Sequence, residues 1–331
     1  MPVVALYGAN ASGKSSVFRA AHALRRIIHN GRLPFLTDIP RPDRNAPVAL
    51  RIAFADPDRG IGYCRYVLSF FPAGHPPVPE TDRRPRVTEE GLRMSFRGEQ
   101  CLYTRAGDIA PEDEGLLGLA SVFYEAHPDA AGAVRQSVSR GLITGSGGSK
   151  RFHRFDCGEP LNLVNAWIQE AADLAGIPGT FRAELSERGP QLVVLSGDSD
   201  RQPAELAASP GTIRFLTLMP EVRHALRTGG TLFADHIDSL HSDLFAQILP
   251  LFRNAETNPR HAQLVFASQN PAILDEDILR RDEIMLVSRN RDTGESTLYP
   301  LSDFSVAPAG ILFSADGERR EEQKGKETEI L

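Results

Sequence analysis

The chain has 331 residues, with 37 Lys and Arg against 43 Asp and Glu and a net charge of −6. That length suits two domains or one large α/β domain with insertions, and 41% hydrophobic with 24% charged residues excludes a mainly disordered chain. The negative balance excludes a surface that is cationic all over, so any nucleic-acid contact would need a local patch.

Residues 3–7, VVALY, form an apolar run that predicts a buried strand stopping at Gly8. A helix is expected from about Lys14 to Ile28, with Val17, Ala21, Leu24 and Ile28 on its apolar face. After a loop over 31–47, VALRIAF and YCRYVLSFF predict an antiparallel hairpin, and a weaker β pattern runs from Val87 to Tyr103. Residues 48–103 are therefore assigned to an antiparallel β region. From Glu112 to about Arg140 the pattern is helical, and it breaks at GSGGSKRFHRF. It resumes in PLNLVNAWIQEAADLAG, opened by Pro160 and closed by Gly176, with Trp167 expected in the core. Residues 112–176 thus read as a mostly helical insertion.

FRAEL and QLVVL predict a further hairpin. The helix after Gly211 should turn Ile213, Leu216, Val222, Ala225 and Leu226 inward and kink at Pro220. TLFAD, SDLFAQILPLF and QLVFAS then alternate strand, helix and strand, as a parallel sheet with crossover helices requires. Residues 316–331 are dense in charge and are expected to be disordered. Cys64, Cys101 and Cys157 lie far apart with no CxxC pair, which predicts a reduced, cytoplasmic chain. No secretory N-terminus and no run approaching roughly 18 apolar residues is present, so no membrane partner is expected.

The strongest signal is Gly8-Ala9-Asn10-Ala11-Ser12-Gly13-Lys14-Ser15, a full GxxxxGK[ST] match between a predicted strand and a predicted helix. Its glycines let backbone N–H groups turn toward phosphates, Lys14 reaches the β and γ phosphates, and Ser15 ligates Mg²⁺. Gly8, Asn10, Ala11, Ser12, Gly13, Lys14, Ser15 and Ser16 are the expected nucleotide contacts. A P-loop needs a second carboxylate for Mg²⁺ at a neighbouring strand end, and Asp235 in TLFAD supplies it. The alternative for Asp235 is a helix N-cap. Ser209-Pro210-Gly211-Thr212 opens a helix and presents N–H groups and a hydroxyl to an anion, or else serves only as that helix's N-cap.

The order of P-loop, Ser-x-Gly-Thr helix, Walker B strand and QLVFASQNPAILD resembles the ABC-type ATPases. More narrowly, YGANASGKSS, SPGTIRFLTLMP, ADHIDSLH, LVFASQNPAILD and LRRDEIMLVSRN followed by LYPLSDF are similar to the bacterial AAA-family ATPases of anti-phage systems such as Septu and some retrons. The resemblance covers residues 1–30 and 205–304, the expected ATP-binding core. It implies an α/β P-loop NTPase of ABC-ATPase type with a mixed sheet, interrupted by the antiparallel region and the helical insertion. It also implies that Ser209, Gly211 and Thr212 form a signature loop touching the ATP of the other subunit, that residues 238–241 begin a segment facing that subunit, and that two ATP molecules are sandwiched in a head-to-tail homodimer.

Three departures from the family pattern bear on chemistry. His236 stands where a catalytic Glu usually follows the Walker B Asp, Gln269 stands where a switch His touches the γ-phosphate, and DHIDSLH is one residue short. His236 is either a weaker base, since neutral imidazole accepts a proton, or a structural residue at a stalled site. Strands that family members place before the P-loop strand are not matched, so adenine contacts are left unassigned. The function implied is a nucleotide-gated ATPase or ATP sensor with slow or absent hydrolysis, in a defence-like or DNA-associated complex. Its effector, nuclease-like, would be encoded separately, because no nuclease motif appears and the residues after Asp275 are too few for a fused nuclease. A catalytically inactive scaffold and the ATP-binding subunit of a transporter are the alternatives. Lys150, Arg151 and Arg154 among Phe152 and Phe155 offer a local patch for nucleic acid, or simply a solvated loop.

Overall fold

The computed structural model describes residues 2–33, 46–72, 85–106, 117–144, 159–186, 189–196, 200–235, 237, 240, 242–270 and 278–304. His236, most of the segment 238–241, the basic loop around Arg151, Cys157 and the charged tail 316–331 lie outside the described residues.

Strand β1 (Val3–Tyr7) runs into the P-loop and helix α1 (Lys14–Asn30). The middle of the chain supplies β2 (Val48–Asp56), β3 (Ile61–Phe71), β4 (Arg86–Phe96), β5 (Glu99–Ala106), α2 (Val122–Ala126), α3 (Pro128–Gly141), β6 (Leu142–Thr144), α4 (Leu161–Leu174), β7 (Thr180–Ser186), β8 (Gly189–Ser196), β9 (Asp200–Pro203) and α5 (Ala204–Ala207). Then come α6 (Pro210–Thr228), β10 (Thr231–Ala234), α7 (Ser242–Arg253), β11 (Gln263–Ser268), β12 (Ile284–Arg289) and β13 (Ser296–Pro300).

The central sheet has the order β13-β12-β1-β11-β10-β6, parallel except for the antiparallel β12–β13 pair. A parallel sheet is covered on both faces, and alternation along β1 sorts its side chains accordingly. Val3 and Ala5 join the core built with α4, α6 and α7, while Val4 and Leu6 pack with Phe18 of α1. Phe18 also meets Phe233 of β10 edge to face, with ring centroids 6.1 Å apart, which fixes α1 against β10. On α1, Leu24 and Ile28 are buried as expected, Val17 and Ala21 are only half-buried, and Phe18 and Ile27 complete the buried face. Its first turns meet the sheet, and its last turns meet the second core that covers the antiparallel strands.

That second core is roofed by the four-stranded antiparallel sheet β2-β3-β4-β5; a third sheet, β7-β8-β9, packs on α4. Asn165 and Gln169 of α4 accept hydrogen bonds from the backbone N–H groups of Ala183 and Phe181 at 2.7 and 3.0 Å, so the helix closes the edge of β7. The region expected to be mostly helical also contains β6, which joins the main sheet beside β10. Trp167 is only half-buried and Leu174 is exposed; the core positions of α4 are Val164, Ile168, Ala171 and Ala172. Helix α6 continues through Pro220 and buries Ile213, Leu216, Val222, Ala225 and Leu226.

Glu90 ties the antiparallel sheet to the helical layer. Fully buried on β4, it accepts hydrogen bonds from the Tyr66 hydroxyl at 2.8 Å and from the N–H groups of Gly118 and Leu119 at 2.6 and 3.0 Å. Burial, reinforced by the Glu90 charge, pushes the Tyr66 phenol well above its ordinary pKa, so it stays a donor. Gly118 has to be glycine here, because a Cβ would lie 1.7 Å from the Tyr103 hydroxyl. Glu90→Ala strands these donors in the interior and is expected to lower the unfolding free energy by about 3 kcal/mol, as read by urea titration. A loss below about 0.5 kcal/mol would show that the turn is not held by this carboxylate.

Candidate nucleotide site

Strands β10, β11, β1 and β12 are parallel neighbours, so their C-terminal ends open on one edge of the sheet. That edge is where open α/β sheets place their ligands. Asp235 follows β10, Gln269 follows β11, Gly8 follows β1, and Arg289 ends β12. A cavity of about 830 Å³ lies there, lined by residues 10–16, Arg19, Asp235, Ala267, Gln269, Arg289 and residues 293–297.

Close backbone approach explains the glycines of the loop. A Cβ on Gly8 would sit 2.4 Å from the Val287 carbonyl of β12, and one on Gly13 would sit 2.2 Å from Ser296 Oγ. Gly13 also has φ 109°, and Ala11 takes φ 61°, a left-handed conformation that is costly for a residue with a Cβ. Gly13 caps α1 with no side-chain bond, which leaves the helix N-terminus free to meet an anion. Lys14 Nζ donates to the Gly8 and Ala9 carbonyls at 2.6 and 2.8 Å, so the ammonium sits within the curl of the loop. Ser12, also on the cavity wall, has its hydroxyl buried and without a hydrogen-bond partner.

The structure therefore brings Asn10, Ala11, Ser12, Gly13, Lys14, Ser15, Ser16, Asp235 and Gln269 to one cavity, while Gly8 is not among its lining residues. It does not bring Ser209, Gly211 and Thr212 there. Ser209 is exposed at the start of α6, where its hydroxyl accepts from the Thr212 N–H at 3.1 Å and lies 2.9 Å from Thr212 Oγ1, an N-cap arrangement.

Arg214, one turn into α6, is 2% exposed and donates from Nη2 to the Asp235 carbonyl at 2.9 Å. Burial lowers its pKa, and the nearby Glu221 and Asp235 carboxylates oppose that effect. It links the Ser209–Thr212 turn to the end of the Walker B strand. Motif reading gave no reason to single out Arg214, Arg19 or Arg289; the only signal for Arg289 was a cation closing a strand of the sheet that also holds the P-loop.

Lys14, Arg19 and Arg289 line the cavity together with Asp235 and Glu295, so it carries net positive charge in a chain of net charge −6. This suits a polyanion chelating a cation. Ser15 and Asp235 offer hard oxygen donors, the kind of partial set that Mg²⁺ takes while its remaining positions go to phosphate and water. Among the described residues no cluster of three or more His, Cys, Asp or Glu is present. The orphaned Ser12 hydroxyl and the open helix terminus fit phosphate as well.

No protein-family model matches the chain. No curated protein matches it either. Among solved structures, the crystal structure of the SmcHead bound to the C-winged helix domain of ScpA aligns over 90% of this chain and 90% of that one, with a TM-score of 0.51 and 16% identity. The SMC head domain from Thermotoga maritima aligns over 90% and 89% with a TM-score of 0.42 and 15% identity. The Pyrococcus furiosus Smc head with an extended coiled coil, bound to the C-terminal domain of ScpA, aligns over 91% of each chain with a TM-score of 0.42 and 13% identity. The likeness of fold rests on the first of these. The fold is like that of the SMC head, α/β with a mixed sheet.

Proposed function

We propose that this chain is an ATP·Mg²⁺-binding ABC-type ATPase subunit that closes as a head-to-tail homodimer and so gates a separately encoded effector. The observation that carries this reading is the single cavity that joins the curled P-loop, Lys14, Ser15, Asp235 and Gln269 within that fold. Lys14 and the α1 N-terminus hold the phosphates, Ser15 and Asp235 hold Mg²⁺, and Gln269 offers an amide hydrogen bond at the strand end next to Asp235. Bound Mg²⁺ would neutralise charge on the β and γ phosphates. The setting we propose is a defence-like or DNA-associated complex, with an effector of nuclease-like chemistry. The SmcHead in the first of the solved structures above is bound to a winged-helix domain, and a protein partner for this chain is in keeping with that.

The place of the Ser209–Thr212 turn supports closure. It is displaced from its own cavity, exposed at Ser209, and tied through Arg214 to the Asp235 carbonyl. A γ-phosphate held by one subunit and capped by this turn of another favours the dimer with ATP over ADP, because only ATP has differential affinity for the closed state. Light scattering should show a dimer for the parent with ATP and a monomer with ADP, and Gly211→Arg should stay monomeric with ATP. A dimer that forms without nucleotide and tolerates Gly211→Arg would remove the sandwich and favour the scaffold.

A further inference from the structure

We infer that the β12–β13 hairpin is the nucleoside-binding wall of this site, with Arg289 reaching the α-phosphate and Glu295 accepting hydrogen bonds from the ribose hydroxyls. This rests on the nucleotide reading of the P-loop cavity and adds the direction in which the ligand lies. Asp235 and Gln269 mark one end of the cavity, at β10 and β11; the P-loop is in the middle at β1; Arg289 and residues 293–297 form the other end. Strands lie about 4.8 Å apart, so β10 and β12 are separated by about 14 Å, a span longer than a triphosphate group. With the terminal phosphate at the Asp235 end, the α-phosphate falls between the P-loop and β12, and the nucleoside continues over the hairpin.

The hairpin is preorganised for that task. Asn290 Oδ1 accepts from the N–H groups of Asp292 and Thr293 at 2.8 and 3.0 Å, the Asn290 N–H donates to the Glu295 carbonyl at 2.8 Å, and Gly294 turns with φ 71°. Ser296 is packed against Gly13, so the turn and the phosphate loop are held in register. Arg289 Nη1 donates to the Ala11 carbonyl at a long 3.3 Å. A guanidinium has five N–H donors, so most remain available to a phosphate at the rim of the loop. A carboxylate beside a ribose accepts from both vicinal hydroxyls at once, which gives Glu295 its role.

Calorimetry on the full chain with ATP, 2′-deoxy-ATP and inorganic tripolyphosphate separates the parts. Glu295→Ala, at an exposed turn, is expected to weaken ATP about tenfold, to abolish the preference for ATP over 2′-deoxy-ATP, and to leave tripolyphosphate unchanged. Arg289→Ala should weaken all of them about tenfold, because its contact is to phosphate. Glu295→Ala that leaves the ATP to 2′-deoxy-ATP ratio untouched, or that weakens tripolyphosphate equally, overturns the wall while a large loss in Lys14→Ala keeps the P-loop. Lys14→Ala with no effect on any of these ligands overturns the nucleotide reading and the wall together.

Discussion

Lys14→Ala is expected to weaken ATP binding by about 10²- to 10³-fold, equivalent to about 3–4 kcal/mol. The lysine ammonium donates to two neutral acceptors, the Gly8 and Ala9 carbonyls, which orient it without neutralising it. Phosphate oxygens entering the loop meet a positioned cation in a partly desolvated concavity, where a charge-assisted hydrogen bond is stronger than in water. Removing the side chain also releases the bonds that hold the loop in its curl, so the helix N-terminus loses aim as well as charge. ADP should lose less than ATP, because one of the two phosphates that Lys14 reaches is absent. Calorimetry in the presence of Mg²⁺ reads both effects. Equal ATP affinity for parent and variant would remove the P-loop assignment, and partner binding that survives Lys14→Ala unaltered would favour the scaffold.

The P-loop end of the cavity was legible in the sequence because its geometry demands an uncommon residue set. Gly8 and Gly13 are forced by backbone and side-chain atoms at 2.4 and 2.2 Å from where a Cβ would stand, and Lys14 and Ser15 follow at the helix start. Asp235 was legible because four residues of buried strand lead to it. The opposite wall was not, because β13 is a polar, exposed edge strand with no apolar alternation, and the turn before it is held by Asn290 rather than by a motif. Strand β6 is three residues long and follows a helix directly, too short for any periodicity to register. Arg214 was hidden for another reason. It sits on a helix buried on nearly all sides, where a cation breaks the hydrophobic pattern, and the carbonyl it reaches across 21 residues gives it a role.

Hydrolysis is expected to be slow, and His236→Glu is expected to speed it by about 10²-fold or more. A positioned carboxylate base contributes about 10²- to 10⁴-fold to attack by water, and the position after Asp235 holds His236 instead. At the end of β11, Gln269 lines the cavity with an amide, which would donate to a phosphate oxygen but bring no charge to the one that develops. What would remain at the γ-phosphate is electrostatic holding by Lys14 and by a Mg²⁺ ion that Ser15 and Asp235 would carry. Holding that is equal in the ground and transition states lowers Kd without raising the rate. ATP would then act as a long-lived clamp, and the proposed closed dimer would persist until nucleotide dissociates. Single-turnover hydrolysis measures this directly: the parent should be slow while binding ATP as tightly as His236→Glu. Robust parent turnover that collapses in His236→Ala would instead make the imidazole the base that takes the proton from water, and the clamp would have to be abandoned.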